Sequence, residues 1–285
     1  MKGQATCFGA GTIVNAIATG RGAAFALALR ATATAEPRPE EVGVRAIVPG
    51  GVDPALVVSA AGRVLDRSGK AGGLEVAIDS EIPMSRGLKS SSAVANAVVE
   101  ACAQALDLRI DPKEILDISV DAGFDARVTI TGAFDDASAS LLGGVCVTDN
   151  RTRRILALDR LPEDLVSVVW IPRRTISKSS LKGIDFSSIR PLVEEAFHLA
   201  LRGDYFRAME LNSTAYAPLL GVDETPAVQA RSAGAVAAGI TGAGPAVVAL
   251  TKPSRADAVR KAMNDGEAEV RIAGLHVSEP RQVIL

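Results

Sequence analysis

The sharpest constraint in the sequence is a change of hydrophobic period across one short loop. Leu74, Val76 and Ile78 alternate with Glu75, Ala77 and Asp79, the period of two that marks a half-buried strand. The chain then passes through Pro83-Met84-Ser85-Arg86-Gly87-Leu88-Lys89-Ser90-Ser91-Ser92-Ala93. Beyond it, small or apolar pairs recur every four positions: Ala93 and Val94, Ala97 and Val98, Ala101 and Cys102, Ala105 and Leu106. Asn96, Glu100, Gln104 and Asp107 hold the other side. The pattern predicts an amphipathic helix able to lie close against a sheet or another helix.

A strand, a glycine-containing loop and a helix in that order make a frame for an anion. Gly87 permits close backbone approach, and the loop opens onto a helix N-terminus whose unpaired N–H groups favour phosphate. Ser90, Ser91 and Ser92 offer hydroxyls for phosphate oxygens or a magnesium ion, and Lys89 offers charge to neutralise phosphate. The same serines fit an ordinary capped helix start. Neither Gly-x-x-x-x-Gly-Lys-Ser/Thr nor a strand followed by Gly-x-Gly-x-x-Gly occurs, so the two commonest nucleotide-binding motifs are absent.

Elsewhere, residues 23–29 form an apolar run ending an extended opening segment. Residues 32–34 and 42–48 predict further strands, with Pro37 and Pro39 in the turn between them. Asp111-Pro112-Lys113-Glu114 reads as a helix start. A domain boundary is expected between 150 and 162, around the charged run Arg151-Thr152-Arg153-Arg154, dividing the chain into 1–155 and 156–285. Past it, 166–171 predicts a strand, 189–201, 205–216 and 227–238 predict helices, 246–250 a strand and 255–263 a helix. Strands and helices in irregular order place the chain in the α+β class.

Composition narrows the function. The chain has 285 residues, a net charge of −2 and 22% charged residues, with no basic run to serve nucleic acid or an anionic membrane. No apolar stretch approaches the roughly 20 residues that span a bilayer, and the first residues lack a secretory signal's apolar core. Cys7, Cys102 and Cys146 have no paired spacing, which disfavours a disulfide framework or zinc site and fits a reducing cytoplasm. His198 and His276 are far apart in sequence, so a histidine-based metal site or triad has little support.

Two more segments can carry chemistry. In Thr131-Gly132-Ala133-Phe134-Asp135-Asp136-Ala137 the adjacent acids point different ways; one carboxylate can take or orient a hydroxyl proton, or cap the following helix. In Gly239-Ile240-Thr241-Gly242-Ala243-Gly244-Pro245 the glycines permit a fold with several exposed amides, which either closes over a ligand or makes a tight turn.

Taken in this order, the segments resemble the GHMP kinase superfamily. The 83–93 loop is similar to its Pro-x-x-x-Gly-Leu-x-Ser-Ser-x-Ala phosphate loop, 239–245 to its C-terminal glycine motif, and Ala10-Gly11-Thr12-Ile13-Val14-Asn15-Ala16-Ile17 to a diverged N-terminal motif. Within the superfamily the wording is most similar to the archaeal-type shikimate kinases. The resemblance implies ATP- and magnesium-dependent phosphorylation of the shikimate 3-hydroxyl. It also implies an N-terminal domain like domain 2 of ribosomal protein S5, and a ferredoxin-like C-terminal domain. Gly87, Leu88, Lys89, Ser90, Ser91, Ser92, Gly242 and Gly244 then hold ATP, with Ser91 on magnesium. Asp136, seven residues before Gly143 as in mevalonate kinase, is the catalytic acid, and Thr12, Asn15, Arg21 and Asp135 face the acceptor. Relatives often carry Lys or Arg where Thr12 stands, so either another cation, Lys89 or Arg21, supplies that charge or the aspartate works without it. A carboxylate substrate calls for a cation: Arg21 first, then Arg173, Arg174 or Lys178. The alternatives are another acceptor, such as homoserine or mevalonate, decarboxylase chemistry on a phosphorylated acid, or an ATP-binding sensor without turnover.

Overall fold

The computed structural model describes residues 1–176, 181 and 183–277. The first sheet is organised around one long strand. β1 (Gly3–Val14) runs antiparallel to β2 (Arg21–Arg38) along nearly its whole length, from Gly3 opposite Ala35 to Val14 opposite Ala23. The far half of β2 also pairs with β4 (Gly73–Ser80) and its near half with β5 (Val145–Asp149). The apolar run 23–29 and the segment 32–34 are therefore one strand. Pro37 lies in its last turn of pairing, opposite Leu74, near a strand end where a missing N–H is tolerated.

β3 (Gly43–Ile47) pairs parallel with β4, and the crossover between them is α1 (Ala55–Ser68), as a parallel pair requires. α1 buries Leu56, Val57, Ala60, Ala61 and Val64, a one-sided stripe that the sequence reading above passed over. β6 (Arg154–Asp159) completes the sheet beside β5. The charged run Arg151-Thr152-Arg153-Arg154 is thus the turn of a hairpin, and the chain leaves the first sheet after Asp159.

Helices α2 (Ser90–Ala105), α3 (Pro112–Asp125) and α4 (Phe134–Leu142) follow the loop. α2 buries Ala93, Ala97, Val98, Ala101, Cys102 and Ala105, the small-residue face foreseen from the sequence. It also buries Asn96, which that reading put on the opposite side and whose Nδ2 donates to Ala137 O at 2.9 Å. The Asp111 carboxylate accepts from Glu114 N at 2.8 Å and caps α3, as its Asp-Pro start predicts.

The second sheet comprises β7 (Val166–Ile171), β8 (Ala237–Ile240), β9 (Val247–Thr251) and β10 (Glu269–Ala273), in the order β10-β7-β9-β8. α5 (Arg190–Leu201), α6 (Tyr205–Leu220) and α7 (Thr225–Ser232) lie between β7 and β8, and α8 (Pro253–Met263) lies between β9 and β10. That order, with helices in those crossovers, is the ferredoxin-like arrangement. The helix expected over 227–238 is two elements: α7 stops at Ser232 and the chain re-enters as β8. Residues 235–240 are apolar without a period, a pattern that a buried strand and a buried helix share. One hydrophobic cluster runs through both sheets. No helix among the described residues is long and apolar enough to cross a membrane.

Candidate active site

The loop between β4 and α2 enters its helix in an unusual way. Lys89 occupies the N-cap with φ 64° and makes no side-chain cap. Ser90, Ser91 and Ser92 follow as the first helical residues, so none of them is the N-cap that an ordinary capped start would need. Gly87 has φ +83°, and a Cβ there would lie 2.0 Å from the Thr241 carbonyl oxygen. Only glycine lets the two loops meet so closely.

The glycine motif between β8 and β9 is tied down from the N-terminal sheet. Gly242 N donates to Thr12 Oγ1 at 2.7 Å, Thr12 N donates to Thr241 Oγ1 at 3.2 Å, and Thr241 Oγ1 donates to Gly87 O at 2.9 Å. Asn15 Nδ2 donates to Gly242 O at 2.8 Å, while its Oδ1 accepts from Ile17 N at 3.0 Å. Tyr216 of α6 donates from its hydroxyl to Asn15 O at 2.9 Å. Thr12 and Asn15 are buried, and these bonds make them fasteners of the glycine loop.

The acid pair sits at the start of α4, whose N-cap is Ala133 rather than either aspartate. Asp136 Oδ1 is 2.6 Å from Lys89 Nζ, with both side chains largely shielded from solvent. Lys89 thus supplies the positive charge beside Asp136 that position 12 lacks. Asp135 turns the other way. Its Oδ1 accepts from Asn150 Nδ2 at 2.8 Å, and its backbone N–H donates to Asn150 Oδ1 at 3.2 Å. A Cβ on Gly22 would lie 2.3 Å from Asp135 Oδ2, so a bare backbone is required on β2 to admit this carboxylate. Burial, then the neighbouring Asp136 charge, push the Asp135 carboxyl up to about 7, against the lowering influence of Lys89 and Asn150.

Three cavities meet around these groups. One of about 370 Å³ is lined by Gly87, Lys89, Ser91, Asp136 and Gly244. A larger one, about 1110 Å³, shares Ser85, Ser90 and Ser91 with it and has an apolar wall that includes Val48, Leu56, Ile78 and Met84. A recess of about 30 Å³ between Asn15, Thr131, Asp135 and Asp136 shares Lys89, Asp136 and Gly242 with the first. Lys89 and Asp136 therefore stand at the junction of a phosphate-sized chamber and a second compartment.

The structure brings together Gly87, Lys89, Ser90, Ser91, Ser92, Asp135, Asp136, Asn15, Gly242 and Gly244 from the sequence reading. Leu88 is buried beneath the loop and Thr12 behind it. Arg21 is elsewhere: its guanidinium pairs with Glu194 of α5 and lies 4.7 Å from the Phe197 ring centroid. Arg173 lines the large cavity, and Arg174 donates to Gly221 O at 3.0 Å. Lys178 lies outside the described residues. His198 is exposed on α5 and His276 stacks on Phe8, both away from the cavities described. The sequence reading missed Asn150 and Tyr216. An Asn after a strand looks like any turn residue, and a Tyr on a helix looks like core.

Family models agree with this architecture. The one described as GHMP kinases N terminal domain matches residues 55–144, and the one described as GHMP kinases C terminal matches residues 228–268. The chain belongs to the GHMP kinases. Among its relatives, the shikimate kinase of Methanocella arvoryzae is 40% identical over 264 residues, covering 92% of this chain and 90% of its own. The shikimate kinase of Pyrococcus furiosus is 42% identical over 269 residues, covering 93% and 97%. Solved structures share the fold at lower identity. Methanococcus jannaschii mevalonate kinase superposes with a TM-score of 0.77 at 16% identity, covering 96% of this chain and 98% of that one. Cytophaga hutchinsonii homoserine kinase gives 0.76 at 21%, covering 96% of each.

Proposed function

We propose that the chain transfers the terminal phosphoryl group of ATP to the 3-hydroxyl of shikimate. The observation that carries the site assignment is the Lys89–Asp136 pair, 2.6 Å apart, on the wall shared by the phosphate-loop chamber and the small recess, which admits the acceptor's hydroxyl end. The acceptor itself follows from the likeness to shikimate kinases across most of the chain. The base of ATP occupies the large apolar-walled cavity. Its triphosphate passes along Ser90, Ser91 and Ser92 into the smaller chamber, where the N-terminus of α2 and the glycine loop provide N–H donors.

Asp136 takes the proton of the acceptor hydroxyl as the new O–P bond forms and the bond to the departing ADP breaks. Lys89 fixes the carboxylate and adds positive charge beside the group in transfer. Magnesium fits the donors present, because the Ser91 hydroxyl is a hard oxygen ligand on the chamber wall. This ion takes one or two protein oxygens beside substrate phosphates and waters. When bound, it neutralises charge on the triphosphate. Asp135, nearly enclosed, presents its carboxyl to the acceptor recess, while Thr12 and Asn15 act through the glycine loop they hold. Buried Cys7, Cys102 and Cys146 and the small net charge support a cytoplasmic setting.

A coupled ADP-release assay with ATP, magnesium and a panel of shikimate, homoserine and mevalonate tests the acceptor. Turnover is expected with shikimate at a kcat/KM well above the others; turnover confined to another acceptor, or to none, contradicts the proposal.

A further inference from the structure

A triphosphate carries several negative charges, and among the described residues the basic ones lining the chamber described above are Lys89 and Arg127. Lys89 is already engaged by Asp136. Arg127 is exposed on the chamber wall, and its guanidinium has no hydrogen-bond or ion-pair partner among the described residues.

The backbone gives a second, independent reason to attend to this residue. α3 ends in a Schellman turn: Val128 N donates to Gly123 O at 3.0 Å and Arg127 N to Phe124 O at 3.0 Å. In that turn Arg127 is the residue just past the cap and adopts φ 55°. Glycine, or else asparagine, is the residue favoured there, because a long side chain in the left-handed region is strained. A positive charge at a helix C-terminus offsets part of that strain. It does not explain why the charge sits on the chamber wall.

We infer that Arg127 is a phosphate-binding residue, its guanidinium closing over the triphosphate opposite the serine loop. This rests on the reading of the chamber as the ATP phosphate site. A guanidinium is suited to the task, since it offers paired N–H donors to phosphate oxygens. Lying in the chamber rather than the acceptor recess, it serves ATP and not the acceptor's carboxylate.

The test exploits the turn geometry. Arg127→Gly and Arg127→Asn place the residues that the turn prefers, so the melting temperature is expected to hold or rise. The dissociation constant for a non-hydrolysable ATP analogue, by calorimetry with magnesium, is expected to weaken about tenfold to a hundredfold. The KM for shikimate should stay unchanged, and Arg127→Lys should recover part of the loss. Unchanged ATP affinity in both uncharged variants overturns the assignment. So does a raised shikimate KM with ATP binding intact, which moves Arg127 to the acceptor. So, too, does a fall in melting temperature that accounts for the lost affinity. A wild-type chain that binds no ATP defeats this inference and the reading of the site together, whereas the other three outcomes leave that reading standing.

Discussion

Asp135 and Asp136 are neighbours in the chain and opposites in their surroundings. Asp136 meets a lysine at 2.6 Å; Asp135 meets the amide of Asn150 and the bare backbone of Gly22. The sequence showed that two adjacent acids diverge, because successive residues on a helix point in different directions. It offered Lys89 as one candidate partner for Asp136 and gave no sign of Asn150, since both arrive from distant elements. The raised carboxyl of Asp135 has a thermodynamic consequence. An acid whose folded-state value is about 7 binds its proton more tightly in the native state than in the unfolded chain. Its stabilising contribution is complete below the unfolded value of about 4 and is lost as pH rises through about 7. Denaturant unfolding across this range is expected to show wild-type stability falling with pH, relative to Asp135→Asn, by a few kcal/mol at most. Parallel profiles for the two proteins would mean that Asp135 titrates alike in the folded and unfolded chains.

Elements were legible where a period was clean. The switch from two to roughly four across the 83–93 loop identified β4 and α2, and Asp-Pro identified the start of α3. Two kinds of segment were opaque. Alanine-rich β2 reads as broken pieces because small residues fill both its faces between flanking strands. Residues 227–238 carry no period to separate α7 from β8. The bonds that join the elements were equally hidden, and Thr12 is the clearest case. Its hydroxyl accepts from Gly242 N at 2.7 Å. Thr12→Val keeps the shape and leaves that buried N–H unpaired. It is expected to cost about 1–3 kcal/mol in urea unfolding and to raise the KM for ATP as the glycine loop loosens. Stability equal to wild type would show that the hydroxyl does not hold the loop.

At the scale of the whole molecule, the site exists because two sheets share one core. The phosphate loop and the acid pair belong to the first sheet's layer, the glycine loop to the second, and Gly87 against Thr241 is where they touch. Class and fold were readable from short motifs, whose order along the chain survives divergence. The acceptor was readable only through likeness to relatives, because the residues around the recess come from the segment after β1, the start of α4 and the loop before it, and the glycine loop, with no shared local pattern. The most direct test of the account is Asp136→Asn, which removes the proposed base with little change of shape. ATP-analogue affinity measured by calorimetry is expected to stay near wild type, while kcat with shikimate falls about a hundredfold to ten-thousandfold. Turnover of shikimate at a wild-type rate in that variant would contradict the central claim.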